Sequence, residues 1–175
     1  DYISYRLGKT QWNPPEKSLI ITFDDGHKGN YKLIDLIKKN KIPITIFLCA
    51  GIINTNKNFW FKHLKSKKLN SKLKKIPNNE RLNYLQSEGY SNTKEFSFRN
   101  SLSKNEIDEM RDYTNFQSHS VSHPCLPNCN DEESLYEIQE SKSILEDSYD
   151  LKINAFSFPN GDYSIREIEN LKKTG

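Results

Sequence analysis

The strongest indication of the fold is the stretch SLIITFDDG at residues 18–26. Its apolar half predicts a β-strand over Ser18–Phe23, and Asp24, Asp25 and Gly26 follow where that strand ends. Neighbouring side chains of an extended chain point to opposite faces, but a turn assisted by Gly26 can aim both carboxylates into one pocket. A polar turn after an edge strand is the alternative interpretation.

Apolar runs alternate with amphipathic stretches along the rest of the chain, which predicts an α/β fold of successive strand and helix units. Further strands are predicted over Ile44–Leu48, Phe116–Ser118 and Ile153–Phe158. Helices are predicted around Leu33–Ile37 with a stop before Pro43, from capping boxes at Ser103/Glu106 and Ser164/Glu167, and from Asp131 onward. The last helix has its C-terminal signal at Gly175.

The length of 175 residues predicts a single domain over residues 1–175. Only 34% of the residues are hydrophobic, which indicates either a polar insertion or a missing part of the core. Residues 54–101 follow neither the apolar spacing of a helix nor the alternation of a strand, and they are rich in Lys, Asn and Ser. We therefore predict an insertion there, with its lysines on a solvated helix face or a mobile loop. Trp60 and Phe61 could line a sugar-binding groove or fix the insertion to the core.

Several classes of protein are disfavoured by composition. The 26 basic and 23 acidic residues nearly balance, which predicts no nucleic-acid partner. Three cysteines do not make a disulfide framework, and a thiolate zinc site with Cys125 and Cys129 is disfavoured because their spacing is not CxxC. No stretch is long and apolar enough for a transmembrane segment, and the first residues lack signal-peptide regions, so a soluble domain is expected, with a removed leader or an upstream anchor left open.

A histidine pair offers metal ligands. His119 and His123 lie four residues apart, which in one helical turn brings two side chains within about 5–6 Å. Pro124 is expected to hold His123 in an extended conformation and to close the turn there. A surface pair without a metal is the alternative. Together with Asp25, the two imidazoles would form a two-His, one-carboxylate face with open coordination positions, as a catalytic metal site requires.

These segments resemble the polysaccharide deacetylases of carbohydrate esterase family 4, also called the NodB-homology domain. Residues Thr22–Gly26 are similar to its first motif, His119–Pro124 to its metal-binding second motif, and Ser157–Gly161 with Asp162-Tyr163-Ser164 to its third motif. The order and spacing of the motifs agree. The resemblance implies a distorted, incomplete (β/α) barrel with the active site at the C-terminal ends of the strands.

The resemblance also implies roles for individual residues. It makes Asp24 the general base and implies a metal site of Asp25, His119 and His123. It further implies a substrate-binding and oxyanion-stabilising segment of Pro159, Asn160 and Gly161, with the charge stabilised by the backbone N–H of Asn160. Zinc is the expected divalent ion, and cobalt, nickel, manganese or iron would suit the same ligands.

The activity implied by the resemblance is metal-dependent removal of N-acetyl groups from N-acetylhexosamine units of a polysaccharide or glycoconjugate. A catalytically inactive carbohydrate-binding module and an amidase of small non-sugar substrates remain as alternatives. Both the cell envelope and the cytoplasm are compatible with the family.

Two departures from the family pattern affect the expected chemistry. Ser157 stands where the third motif often begins with an arginine. The general-acid histidine of the family belongs to a late motif that, like the last barrel strands, would lie beyond Gly175. His27 could donate a proton to the leaving amine or have a structural role, and His63 is expected to be solvated.

Overall fold

The structure, a computed structural model, describes residues 17–175 and contains one parallel sheet. Its strands, in the spatial order β1-β2-β3, are β1 (Thr22–Phe23), β2 (Ile44–Leu48) and β3 (Thr114–Ser118). Thr22 pairs with Thr45, and Ile46 pairs with Phe116. Because the strands are parallel, their carboxyl ends meet at one edge. Within the described residues the sheet is open, which confirms the α/β fold with an incomplete barrel.

Helices surround this sheet and supply most of the regular structure. Those described are α1 (Ile34–Asn40), α2 (Trp60–His63), α3 (Lys67–Leu73), α4 (Asn78–Ser87), α5 (Lys104–Met110), α6 (Asp131–Tyr149) and α7 (Ile165–Thr174). Both predicted capping boxes form, at the starts of α5 and α7, and helix α1 ends before Pro43 as expected. Among residues 17–175, no helix has the length and apolar character needed to cross a bilayer.

The first strand is shorter than predicted. Pairing of β1 with β2 begins only at Ile21, whose carbonyl accepts from the N–H of Thr45 at 3.0 Å. In this register residue 20 faces Pro43, which has no N–H to donate. The predicted start at Ser18 is therefore wrong, and Leu19 is left 84% exposed.

The fourth predicted strand, Ile153–Phe158, is also wrong. Only one bridge joins this segment to the sheet, between Phe156 and Ser118. The side-chain carbonyl of Gln117 accepts the backbone N–H groups of Asn154 and Ala155 at 2.9 and 2.8 Å. The Gln117 side chain therefore occupies backbone N–H groups that would otherwise be free to pair with a neighbouring strand, and the segment lies beside β3 without forming a strand.

The main hydrophobic core lies between the sheet and helices α1, α5 and α6. Its buried members include Ile34, Ile37, Ile46, Leu48, Ile107, Met110, Phe116, Leu145 and Ile153. Helix α6 is also joined to β3 by a hydrogen bond of 2.7 Å between the buried hydroxyls of Ser141 and Ser118. This packing fixes the carboxyl end of β3, from which the second motif begins.

Residues 54–101 fold into helices α2, α3 and α4 over a small second core. The buried members of that core are Trp60, Leu73, Leu85, Tyr90 and Cys125. Of the two alternatives predicted for the lysines, the solvated helix face is confirmed for these helices and the mobile loop is wrong, because most of the lysine side chains are exposed on helical segments. His63 is partly exposed, and its Nε2 lies 2.8 Å from the carbonyl of Glu88, so the ring has a protein partner as well as solvent. The bounds of the insertion and the single-domain organisation stay predictions.

A buried carboxylate joins α7 to α6. Glu167 is fully buried and accepts hydrogen bonds from the hydroxyl of Ser134 at 2.8 Å, from the N–H of Ser164 at 2.7 Å and from Nε of Arg166 at 2.7 Å. Burial alone would raise the pKa of Glu167, but the hydrogen bonds from Ser164, Arg166 and Ser134 outweigh it and lower the pKa to about 2. Arg166 also donates to the carbonyl of Leu126, in the segment after the second motif.

We predict that Glu167 contributes stability that acid removes. A carboxylate whose pKa falls from 4.5 to about 2 on folding stabilises the protein above pH 4.5, and this contribution is lost as the pH falls toward 2. The Glu167→Gln variant should lose about 2 kcal/mol of unfolding free energy at pH 7 and show a smaller loss on acidification than the natural chain. Urea unfolding at pH 7 and pH 3 measures both, with exposed Glu169→Gln as the control. If Glu167→Gln and the natural chain lost the same unfolding free energy between pH 7 and pH 3, the acid-sensitive contribution would not come from Glu167.

Candidate metal centre

Three side chains of ligand type converge at the carboxyl edge of the sheet. Nε2 of His119 and Nε2 of His123 lie 3.6 and 3.4 Å from Oδ1 of Asp25. These separations exceed a normal hydrogen bond, so the imidazoles do not simply donate to the carboxylate. One ligand atom from each of the three residues lies within 4.8 Å of the others. The structure therefore brings together the three residues predicted as metal ligands.

The turn after β1 depends on backbone conformations that few residues adopt. Asp25 has a φ of 75° and Gly26 a φ of 68°. A Cβ atom on Gly26 would lie 2.6 Å from Cδ2 of Leu48, so glycine is needed here for space as well as for backbone conformation. The carbonyl of Asp25 accepts the N–H of Cys49 at 3.4 Å, which ties the turn to the end of β2. This left-handed turn directs the carboxylate of Asp25 toward the two histidines.

His119 is fixed by hydrogen bonds on both its backbone and its ring. Its N–H donates to the carbonyl of Leu48 at 2.9 Å, which continues the pairing beyond β3. Its Nδ1 lies 2.8 Å from the carbonyl of Ser157. A carbonyl only accepts, so Nδ1 carries the proton and Nε2 keeps a free lone pair toward Asp25. This is the usual arrangement of a metal-binding histidine, and here the backbone of Ser157 supplies it.

His123 closes the turn with a left-handed backbone, at a φ of 60°. The extended conformation expected from Pro124 is therefore wrong. Its N–H donates to the hydroxyl of Ser120 at 3.0 Å, and its carbonyl accepts Nε1 of Trp60 at 2.8 Å. The ring of Phe61 lies 4.8 Å from the ring of His123. Trp60 thus fixes the insertion to this site, as one of the two sequence-based interpretations proposed.

The electrostatics of the three side chains suit a cation. Burial and the neighbouring His119 lower the pKa of His123 to about 3, so His123 is neutral near pH 7 and able to ligate. Burial raises the pKa of Asp25, a protonated His119 would oppose that rise, and the charge of Asp24 adds to it. An added divalent cation would favour the ionised form of Asp25.

The donor set fits one divalent ion. The ring nitrogen of His123 that faces Asp25 is Nε2, and this atom is the candidate ligand. The other ring nitrogen, Nδ1, is buried and has no hydrogen-bond partner within residues 17–175. Imidazole nitrogens and a carboxylate oxygen bind zinc at about 2.0–2.2 Å, and donors 3.4–3.6 Å apart can share such an ion. A ligand set of two histidines and one carboxylate leaves positions open for water and substrate.

Comparison with protein families agrees with this geometry. A family model described as polysaccharide deacetylase matches residues 11–175. The chain belongs to the polysaccharide deacetylase family. A curated Bacillus subtilis (strain 168) protein, YxkH, whose name assigns it provisionally to the polysaccharide deacetylases, is 22% identical over 164 residues. That alignment covers 93% of this chain and 43% of YxkH, so the chain spans less than half of that relative.

Several solved structures share the fold. Streptococcus pyogenes deacetylase PplD, in complex with acetate, is 18% identical with a TM-score of 0.66, over 97% of this chain and 58% of that one. IcaB from Ammonifex degensii is 18% identical with a TM-score of 0.64, over 94% of this chain and 60% of that one. Peptidoglycan deacetylase PdaC from Bacillus subtilis is 19% identical with a TM-score of 0.53, over 92% of this chain and 58% of that one.

The other deacetylase motif residues lie close in the sequence to residues of the ligand cluster or to Ser157, whose carbonyl contacts His119. Asp24 is exposed at the end of β1 and directly precedes Asp25. Pro159, Asn160 and Gly161 form a 3₁₀ turn directly after Ser157-Phe158. Asn160 has a φ of 61°, and within the described residues its backbone N–H donates to no acceptor. The catalytic role of Asp24 and the oxyanion role of this turn stay predictions.

The remaining candidate residues are used structurally. Nδ1 of His27 accepts the N–H of Gly29 at 3.1 Å and so caps the turn that leads into α1. The thiols of Cys125 and Cys129 are buried, and burial raises both pKa values, that of Cys129 to about 12. In the part of the chain that the structure describes, no cluster of three ligand side chains includes a cysteine.

Glu137 on α6 supports the second deacetylase motif and was missed from the sequence. Its buried carboxylate accepts the N–H groups of Val121 and Ser122, each at 2.8 Å, and also the hydroxyl of Ser122. These bonds hold the turn between the two histidines. The sequence does contain an indication of this role. Glu137 precedes Ile138 on the buried face of the helix, and a buried carboxylate needs hydrogen-bond partners.

Proposed function

We propose that this protein is a metal-dependent deacetylase that hydrolyses the N-acetyl groups of N-acetylhexosamine units in a polysaccharide or glycoconjugate. The convergence of Asp25, His119 and His123 carries the proposal. Family membership supports the deacetylase chemistry, and the acetate bound to PplD supports an acetyl group as the part removed. The names of PdaC and of the family support an acetylated carbohydrate as the substrate.

The ligand cluster would hold one divalent ion, with zinc the first choice and cobalt, nickel, manganese or iron also suited to these donors. Such an ion supplies Lewis acidity toward the acetyl carbonyl and lowers the pKa of a bound water. His119 and His123 present neutral nitrogens to it, and Asp25 supplies the charge.

Two further groups complete the proposed hydrolysis. Asp24, exposed beside Asp25, accepts the proton of the attacking water as general base. The free backbone N–H of Asn160 donates to the developing oxyanion of the tetrahedral intermediate. When the C–N bond breaks, the leaving nitrogen takes up the proton that Asp24 removed from water, so the products are acetate and a free amine on the sugar. The left-handed φ of Asn160 is the kind of special backbone conformation found where a main-chain donor serves a site.

Removal of the metal tests the proposal. With a neutral N-acetylglucosamine oligosaccharide as substrate, a chelator should reduce acetate release by about 10³-fold, and added zinc should restore it. Acetate is measured enzymatically, and a small non-sugar acetamide is assayed in parallel. Release that a chelator leaves unchanged contradicts the metal role. Turnover of the acetamide alone indicates an amidase, and oligosaccharide binding without turnover indicates an inactive module.

A further inference from the structure

The charges of this chain are unevenly distributed. Residues 54–101 contain 11 of the 26 basic residues but only 3 of the 23 acidic ones, a net charge of +8. The remaining residues therefore have a net charge of −5, although the whole chain has only +3. A segregation of this kind produces a local positive potential, which favours an anionic partner where it faces a binding site. The location of the basic segment therefore decides its role.

The basic segment is docked on the candidate metal centre. Its helix α2 contacts His123 twice, through the hydrogen bond from Trp60 to the carbonyl and through the ring of Phe61. The carboxyl end of α3 is held by a hydrogen bond of 2.8 Å from the side chain of Asn128 to the carbonyl of Lys74. Asn128 lies just after the second motif. The segment thus forms a wall beside the ligand cluster and not a separate projection.

Two lysines of this wall lie next to residues that contact the metal centre. Lys62 directly follows Phe61, whose ring lies 4.8 Å from that of His123, and the carbonyl of Lys74 is the acceptor of the hydrogen bond from Asn128. The ammonium of Lys62 lies 5.3 Å from the ring centre of Phe59, and the side chain is exposed. Neither lysine forms an ion pair with any carboxylate in residues 17–175. Both charges are therefore available to a bound molecule.

We propose that Lys62 and Lys74 form a basic rim that selects acetylated glycans carrying negative charge, as phosphate or carboxylate, on or next to the sugar that is deacetylated. This inference rests on the proposed function, since it names the substrate class of the same site. A glycan is favoured over a nucleic acid or a membrane because the rim borders a hydrolytic ligand cluster at the end of the sheet.

Matched oligosaccharides test the rim. The full-length protein is assayed with a neutral N-acetylglucosamine oligosaccharide, with the same oligosaccharide phosphorylated, and with one bearing lactyl carboxylates. We expect kcat/KM to be about tenfold higher for the anionic substrates at 50 mM salt, and this preference to disappear at 1 M salt. In the variant Lys62→Gln/Lys74→Gln the preference should fall about tenfold. The control Lys39→Gln/Lys152→Gln, with the same change in charge outside residues 54–101, should keep it.

The outcomes separate this inference from the proposed function. Equal turnover of neutral and anionic substrates overturns the proposed selectivity of the basic rim and leaves the proposed deacetylase activity standing. Binding is measured in parallel by fluorescence anisotropy of labelled oligosaccharides, without turnover. Salt-sensitive binding of the anionic oligosaccharide without acetate release supports the selectivity of the basic rim and contradicts the proposed deacetylase activity. Tighter binding of duplex DNA or of anionic vesicles than of the anionic oligosaccharide overturns the glycan assignment.

Discussion

In the absence of metal, the Asp25→Asn variant is expected to be at least as stable as the natural chain. In the presence of zinc, it is expected to lose the stabilisation that the natural chain gains. Burial raises the pKa of Asp25, so its ionised form at neutral pH costs folding free energy when no cation is present. Asparagine removes that cost together with the anionic ligand. At a zinc concentration about 100 times the dissociation constant, the natural chain should gain about 2.7 kcal/mol, and a variant with 100-fold weaker binding only about 0.4 kcal/mol.

Urea unfolding with and without zinc measures both effects on the same samples. Asp112→Asn serves as the control, because that residue is exposed and outside the ligand cluster. It should leave the zinc-dependent gain unchanged. An Asp25→Asn variant that zinc still stabilises by the full amount would mean that the cluster of Asp25, His119 and His123 is not where the ion binds.

The Asp24→Asn variant is expected to bind zinc normally and to release acetate about 10³-fold more slowly. General base catalysis by a placed carboxylate contributes about 10²–10⁴-fold, and asparagine cannot accept the proton. The two adjacent aspartates therefore make a matched pair, since one variant should remove the ion and the other only the base. Steady-state kinetics with zinc titration by calorimetry distinguish the two variants.

The kinetic pattern decides the assignment of Asp24. A lost base lowers kcat and kcat/KM together, whereas a lost substrate contact raises KM with kcat unchanged. A change in KM alone would make Asp24 a binding residue. Undiminished turnover would remove it from the mechanism altogether.

Local patterns in the sequence were sufficient for much of the fold. The strand Ile44–Leu48 has the predicted bounds because five apolar or β-branched residues follow a proline and are buried at the centre of the sheet. The capping boxes of α5 and α7 were predictable because the signal and the hydrogen bonds both span three residues. The meeting of Asp25 with the histidines was predictable because carboxyl ends of parallel strands share one edge.

Features that depend on distant partners escaped prediction. The segment Ile153–Phe158 has strand-like composition, but the side chain of Gln117, almost 40 residues earlier, takes its donors. The helices of residues 54–101 lack a strong periodic pattern because their buried residues are few and divided among short helices that cover one another. Likewise, the hydrogen bond between Trp60 and His123 joins residues 63 apart, which no local pattern encodes.

Four residues around the site, Asp25, Ser120, His123 and Asn160, have positive φ angles. A left-handed backbone costs a residue with a side chain about 1–2 kcal/mol. Ordinary strands and helices would not direct the same side chains to the same point. An engineer who wished to transplant this centre into another scaffold would therefore have to copy its main-chain turns first, and a graft of side chains alone should fail.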